Sequence, residues 1–365
     1  MLGGDTVSTV PRPIVSFVIG PGQGLVCLPA ACYDSHDMRA VLFREFGGPE
    51  VLQSAELPEP DLRERDILVK VRASSVNPVD TKVRSRKSAT REFPIVLGYD
   101  VSGVLVRCGP RANLWQPGDE VFAAPNLFRQ GANAEYVALD ERSVARKPKS
   151  VDHEHAAALP LVCLTAWEAL HLRARIHPGQ TVLIHAGAGG VGHVAVQLAR
   201  LHGCRVLTTA GREESIAFCR EAIGADEVID YRTTDVVEYV KSITAGKGLP
   251  VVFDTVGGDV FHQSLDCLGF NGQLVTILGS NTGDRGQALL YRNVSIHYEF
   301  MGVPTWQEIE PERPGQILAG ISRLVDAGLL RPHVSHRFQL ERLADGHRQV
   351  ETGHTVGKVA ITVSA

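Results

Sequence analysis

The sequence predicts an α/β protein, with a doubly wound parallel sheet in its second half and a β-rich region before it. Three observations carry this prediction. From Thr181 onward, short apolar runs alternate with helix-like stretches, the rhythm of parallel strands linked by helical crossovers and covered on both faces. Residues 181–200, TVLIHAGAGGVGHVAVQLAR, read as strand, glycine turn and helix. Up to about residue 150, β-branched runs are short and punctuated by Gly and Pro.

Residues 1–37 hold the apolar run IVSFVIGPGQGLVCLPAAC, interrupted by Gly20, Pro21, Gly22 and Gly24. It is too broken for the ~20-residue apolar helix that a bilayer requires. With Arg12 as its only preceding basic residue, it is read as a loose extension rather than a secretory signal. The globular part is expected to start at Met38. MRAVLFREFG (38–47), DILVKVRASSV (66–76), VSGVLVRCG (101–109) and EVFAA (120–124) have strand spacing. LPEPD is a breaker-rich loop between the first two. HAAALPLVCLTAWEALHL reads as one or two helices, broken at Pro160.

After the strand TVLIHA (181–186), a helix is expected over about 190–202, with Val191, Val194, Leu198 and Leu201 as its buried stripe. The strand RVLTTA (205–210), a helix over about 213–223 and the strands EVIDY (227–231), PVVFDTV (250–256) and GQLVTIL (272–278) follow. Residues 313–328 read as a helix, and GKVAITV (357–363) as a closing strand.

The glycine turn carries the first functional inference. Gly187 permits the tight turn, Gly189 lets a pyrophosphate approach the backbone, and Gly192 lets helix and strand pack closely. The helix N-terminus then offers free amides and a positive dipole to an anion. An NAD-preferring site usually has an acid at the end of the second strand. Here that strand ends in Ala210-Gly211-Arg212. An arginine meets a 2′-phosphate with charge-assisted hydrogen bonds, so NADPH is the expected cofactor. Glu213 and Glu214, which follow at once, count against it.

Composition narrows the function classes. The chain has 365 residues, 44% hydrophobic and 21% charged, with a formal net charge of -4. This suits a globular protein of two domains. No basic tract marks a nucleic-acid partner, and no membrane partner is expected. The seven cysteines are scattered and odd in number, with no C-x-x-C. They are read as reduced thiols of a cytoplasmic protein. No serine-hydrolase elbow is present.

The residues from Met38 onward resemble the medium-chain dehydrogenase/reductase superfamily, and within it the zinc-free, zeta-crystallin-like quinone oxidoreductases. The resemblance rests on MRAVLFREFGGPEVL, VKVRASSVNPVD, LGYDVSGVLVRCG, QPGDEV, AEYV, AALPLVCLTAWEAL, VLIHAGAGGVG, GADEVIDYR and HTVGKVAITV, in that order. It implies a GroES-like catalytic domain made of 38–160 with 329–365, and a Rossmann domain over 161–328. It implies hydride transfer from NADPH to a quinone or enone, and a homodimer. Carried over residue by residue, Asn77 and Asp80 fall on the substrate-side loop and Thr165 near the nicotinamide. Gly189, Gly190, Val191 and Gly192 fall on the pyrophosphate turn, Gly211 beside the adenosine phosphate and Tyr231 beside the adenosine ribose. Leu278, Gly279 and Ser280 fall along the nicotinamide ribose, and Lys358 on a lysine that reaches the cofactor.

From these positions Asn77 is expected to donate to a developing oxyanion. Asp80, taken as exposed and ionised, would orient Asn77 or a water. The other reading of the pair is an Asx turn. Zinc relatives carry a cysteine and a Gly-His-Glu where this chain has Asn77-Pro78-Val79-Asp80 and Gly98-Tyr99-Asp100, so no metal is expected. Tyr99 is either a proton donor or a packed ring. His153 and His155 would diverge on a helix, and His333 and His336 are expected in a loop. The loop TKVRSRKSATREF (81–93) lacks the family's tyrosines and has five basic residues. This leaves two alternatives open: an enoyl-thioester or acrylate-type reductase on the same scaffold, and a non-catalytic NADPH-binding protein.

Overall fold

A computed structural model describes residues 37–86 and 92–364. The readings made on residues 1–36, with Cys27 and Cys32, and on 87–91 of the basic loop lie outside the described residues.

Two sheet systems and a small third sheet position the site. The largest uninterrupted parallel sheet has six strands. In spatial order they are Glu227–Asp230, Arg205–Ala210, Thr181–Ile184, Leu249–Asp254, Leu268–Thr276 and Ser295–Tyr298. Every neighbouring pair is parallel. Counted from Thr181–Ile184 as the first, the order is 3-2-1-4-5-6, and it reverses between the first and fourth strands. Such a reversal leaves a crevice beyond the carboxyl ends of those two strands. The central strands are apolar on both faces, since Val182, Leu183, Ile184, Val251, Val252 and Phe253 are all fully buried. Helices cover both sides, as a parallel sheet requires.

The second sheet has seven strands. Along its main path run Val334–Gln339, Lys358–Thr362, Asp66–Val76, Val101–Cys108, Glu120–Ala123 and Ala145–Arg146; Tyr136–Asp140 pairs separately with Asp66–Val76. The chain's last strand therefore returns to its first third. It runs antiparallel to Asp66–Val76 with Val359 opposite Val76, which sets Lys358 beside Asn77. Asp37–Phe43 pairs with Gln53–Pro58 and Ile95–Val96 in the small third sheet.

Several elements differ from the expectation for physical reasons. The first parallel strand stops at Ile184, because Ala186 adopts a φ of 52° to begin the turn. Leu201 is exposed, being the last residue of the helix Gly190–Leu201, whereas Val194 and Leu198 are buried. Pro160 separates His153–Ala157 from Pro160–Trp167, where it occupies the first turn. That second helix continues as a π-helical turn over Glu168–Arg173. Ser295–Tyr298 and Gln53–Pro58 are strands that the periodicity did not reveal, since both stand at sheet edges with polar residues interleaved. His336 lies in the strand Val334–Gln339 rather than in a loop.

Candidate active site

The crevice at the strand reversal is a cleft of about 1180 Å³. His185 and Ala186, just past the first strand, and Thr255 and Val256, just past the fourth, form its floor. Gly189, Gly190, Val191 and Gly192 line it, as do Tyr231 and Leu278. Asn77, Thr165 and Lys358 line it too. Elements some 280 residues apart in sequence thus meet around one cavity.

The turn is built as its residues require. Gly189 is the N-cap of the helix Gly190–Leu201 and has no side chain to fill the mouth of the helix. The first-turn amides have no intrahelical acceptors and meet the cleft with the positive end of the dipole. His185 adds a second sign of a missing partner. Its imidazole is buried with Nδ1 3.3 Å from Thr209 Oγ1, while Nε2 has no partner. Burial lowers its pKa to about 4, so it is neutral near pH 7 and offers the cleft wall an uncharged hydrogen-bonding atom. A polar, phosphate-bearing dinucleotide fits both features.

The Tyr231 ring lies against Gly211. A Cβ on Gly211 would stand 2.5 Å from Tyr231 Cζ, so the glycine makes room for the ring. Arg212 lies directly after Gly211, with its guanidinium hydrogen-bonded to the carbonyl of His354 and 3.5 Å from Ser215 Oγ. It is not part of the cleft wall. Glu213 and Glu214 are exposed. Gly187 packs on Thr208 behind the turn. Gly279 is exposed, and Ser280 accepts from the Tyr298 hydroxyl at 3.1 Å; of that loop, only Leu278 lines the cleft.

Behind Asn77 and Lys358 lies a buried charged cluster centred on Asp100. Its Oδ2 accepts from Ser75 Oγ at 2.5 Å, from Asn77 Nδ2 at 2.7 Å and from Lys358 Nζ at 3.2 Å. Its Oδ1 accepts from the Leu161 amide at 2.7 Å. Lys358 Nζ also donates to Asn77 Oδ1 and to the Val76 carbonyl. The ammonium is therefore engaged within the cluster, while the lysine stem comes within 3.3 Å of a Cβ position on Gly190. Thr165 Oγ1 donates back to the Leu161 carbonyl at 2.8 Å.

Asp80 corrects an expectation: it is fully buried, not exposed. Its Oδ2 accepts from the Asn77 amide at 2.7 Å and its Oδ1 from the Gly98 amide at 3.0 Å. It caps the helix Pro78–Ser85 as the third residue of a capping box. Burial pushes its carboxyl up to about 7, against the two backbone donors and the nearby Lys358 charge. Its contacts fix the backbone of Asn77. The Tyr99 ring is also fully buried, packed with Phe43, Leu97 and Leu127, and does not line the cleft.

A zinc ion does not fit this donor set. Asn77 offers an amide and not a thiolate, Asp100 is paired with an ammonium, and both oxygens of Asp80 are taken by backbone amides. Among the described residues no group of three His, Cys, Asp or Glu is placed to hold a metal ion.

The central role of Asp100 was missed by sequence reasoning. The available signal was an acid directly before the buried strand Val101–Cys108, a place where an unpaired charge is costly.

Comparison with known proteins follows the same lines. Residues 63–149 match the family model described as alcohol dehydrogenase GroES-like domain, and 223–361 the model described as zinc-binding dehydrogenase. The chain is 32% identical to human mitochondrial NAD(P)H oxidoreductase RTN4IP1, covering 89% of each chain. It is 30% identical to human quinone oxidoreductase, over 87% of this chain and 94% of that one. Its fold matches the crystal structure of Escherichia coli quinone oxidoreductase complexed with NADPH with a TM-score of 0.79, at 29% identity, over 89% of this chain and all of the other.

Proposed function

The chain belongs to the medium-chain dehydrogenase/reductase superfamily, in its zeta-crystallin-like quinone oxidoreductase branch, and we propose that it uses NADPH to reduce quinones or related conjugated carbonyl compounds without a metal. The observation that carries this reading is the cleft itself: a glycine-turned helix N-terminus stands beside a zinc-incompatible polar cluster. The coarser part, an NAD(P)H-linked oxidoreductase, is common to the relatives above.

Gly189, Gly190, Val191 and Gly192 would hold the pyrophosphate, on the tight turn that Gly187 permits. Gly211 and Tyr231 would hold the adenosine half, and Thr165 with Leu278, Gly279 and Ser280 the nicotinamide half. When bound, the reduced nicotinamide supplies the hydride. The chain's own part is orientation and charge. Asp100 takes one Asn77 amide hydrogen; the other is the donor we assign to the substrate oxygen. Asp80 and Lys358 hold Asn77 in place from its backbone and side-chain sides. With no Lewis acid in this reading, the substrate must bring a carbonyl already polarised by conjugation.

The preference for NADPH rests on Arg212 and the absence of an acid at the end of Arg205–Ala210. To meet a 2′-phosphate, Arg212 exchanges the His354 carbonyl for a stronger, charged acceptor. Arg212→Ala is expected to lower the preference for NADPH over NADH by about 10–100-fold, measured as the ratio of kcat/KM for the two cofactors. An unchanged ratio would remove Arg212 from the reading.

The same reading includes a homodimer and a cytoplasmic location. Ser295–Tyr298 stands at the sheet edge beside exposed Phe270, Leu290 and Tyr291, a surface suited to a second copy. The five cysteines among the described residues are free thiols. No helix among the described residues is long and apolar enough to cross a membrane.

The test of function is turnover. The full chain with NADPH should consume the cofactor when a quinone is added, followed at the nicotinamide absorbance band. Consumption only with enoyl-thioesters would favour the related reductase. Binding with no consumption on quinones, enones or enoyl-thioesters would overturn the enzymatic reading.

A further inference from the structure

We propose that Lys82 binds a carboxylate on the substrate, so that the preferred substrate is a conjugated carbonyl compound carrying an acid group. This rests on the reductase reading and names its substrate class.

Helix periodicity sets Lys82 on the cleft. In the helix Pro78–Ser85, Lys82 follows Pro78 by four positions and Val79 by three, which makes the three neighbours on one face. All three line the cleft. Arg84 is buried elsewhere, and Arg86 is exposed and outside the cleft lining. Of the described basic residues in TKVRSRKSATREF, Lys82 is therefore the one that faces the cleft.

Its ammonium lacks a partner. The cations lining the cleft are Lys82, Arg232 and Lys358. Arg232 is paired with Asp230, and Lys358 with Asp100. Among the described residues, no acid or hydrogen-bond acceptor is paired with Lys82 Nζ. The acids of the lining are committed elsewhere: Asp235 caps the helix Val236–Ile243, and Glu299 is paired with Arg173. Lys82 is half-buried. Burial, then the charge of Arg86, holds its pKa below the usual lysine value, the direction of an ammonium drawn from water without an anion. An anion brought by a ligand relieves that cost. One ammonium neutralises a carboxylate, whereas a phosphate monoester carries close to two charges.

The surroundings fit the rest of such a molecule. Val79, Leu127 and Leu161 belong to one apolar cluster and also line the cleft. The Asn77 side chain, assigned above to the substrate oxygen, and the Leu161 amide are bound to the two oxygens of Asp100. Lys82 lies five residues along the chain from Asn77, an axial rise of about 7.5 Å. A five-carbon keto acid and its two terminal hydrogen bonds span that separation. A carbonyl donor, an apolar surface and a free ammonium thus share one part of the cleft.

The test uses the full chain and NADPH with 4-oxo-2-pentenoate and its methyl ester, which differ in charge at one end. In either, hydride from NADPH and a proton from water saturate the double bond, leaving NADP+. Lys82→Met should lower the acid-to-ester ratio of kcat/KM by about 10–100-fold. Lys82→Arg, which keeps the charge, should retain most of the ratio. A lysine that only stabilises the last turn of its helix would alter unfolding and leave the ratio in place. Calorimetric titration with 4-oxopentanoate, the saturated acid, needs no turnover, and Lys82→Met should raise its Kd by the same factor. An unchanged ratio or an unchanged Kd overturns the proposal. So does a raised KM for NADPH as the sole effect, which would give Lys82 to the cofactor. Lys82-dependent binding without turnover of any conjugated carbonyl compound overturns the reductase reading and leaves the carboxylate site standing. Neither turnover nor saturable binding overturns both.

Discussion

Gly192→Ala is expected to lower NADPH affinity by about 100-fold or more, equivalent to about 2.7 kcal/mol. An added Cβ at this position would stand 2.1 Å from the Ala186 carbonyl oxygen and 2.9 Å from Gly187 Cα. Both are backbone atoms, so no side chain can swing aside. The carbonyl belongs to a residue already in the left-handed region, with φ of 52°, and has little freedom to move. The helix must therefore shift away from the strand and take its first-turn amides with it. Those amides are what the turn presents to a pyrophosphate. Titration of cofactor fluorescence gives the affinity, and circular dichroism shows whether the fold persists. An affinity within about threefold of the wild type would mean that the helix N-terminus is not the phosphate site.

Asp100→Ala is expected to be the most destabilising single change near the cleft, by about 3–5 kcal/mol, because it leaves a buried charge without its partner. Lys358 Nζ would keep only the Asn77 and Val76 oxygens, and the Leu161 amide and Ser75 hydroxyl would lose their acceptor. The double variant Asp100→Ala/Lys358→Met removes both charges. It should be less destabilised than the sum of its two single changes, by a coupling of about 0.5–3 kcal/mol. Denaturant unfolding of the four proteins checks this. Additive losses would show that the two residues do not form one electrostatic unit.

The sequence displayed the parts of the fold that depend on local pattern. The glycine turn, the strands Thr181–Ile184 and Leu249–Asp254, and the helix Arg313–Asp326 have their signals within a few residues of each other. Pairing was less visible. The return of Lys358–Thr362 to Asp66–Val76 is a contact across nearly the whole chain, and no periodicity encodes it. Edge strands were missed because their outward faces are polar; SIHY at 295–298 lacks the apolar run of the buried strands.

The candidate site divides in the same way. Positions on the turn can be assigned from a motif, since the chemistry is done by backbone. The polar cluster cannot, because Asp100 draws its partners from Ser75, Asn77, Leu161 and Lys358. Asp80 illustrates the consequence. An aspartate after Asn-Pro-Val looks like a solvated turn residue, and only the fold shows that the Gly98 segment closes over it.

The account depends most on the claim that a reduced nicotinamide dinucleotide docks on the helix beginning at Gly190. The most direct measurement is a fluorescence titration of the full chain with NADPH. The predicted result is saturable binding of one NADPH per chain in the wild type, strongly weakened in Gly192→Ala. No saturable binding by the folded wild-type chain would contradict it.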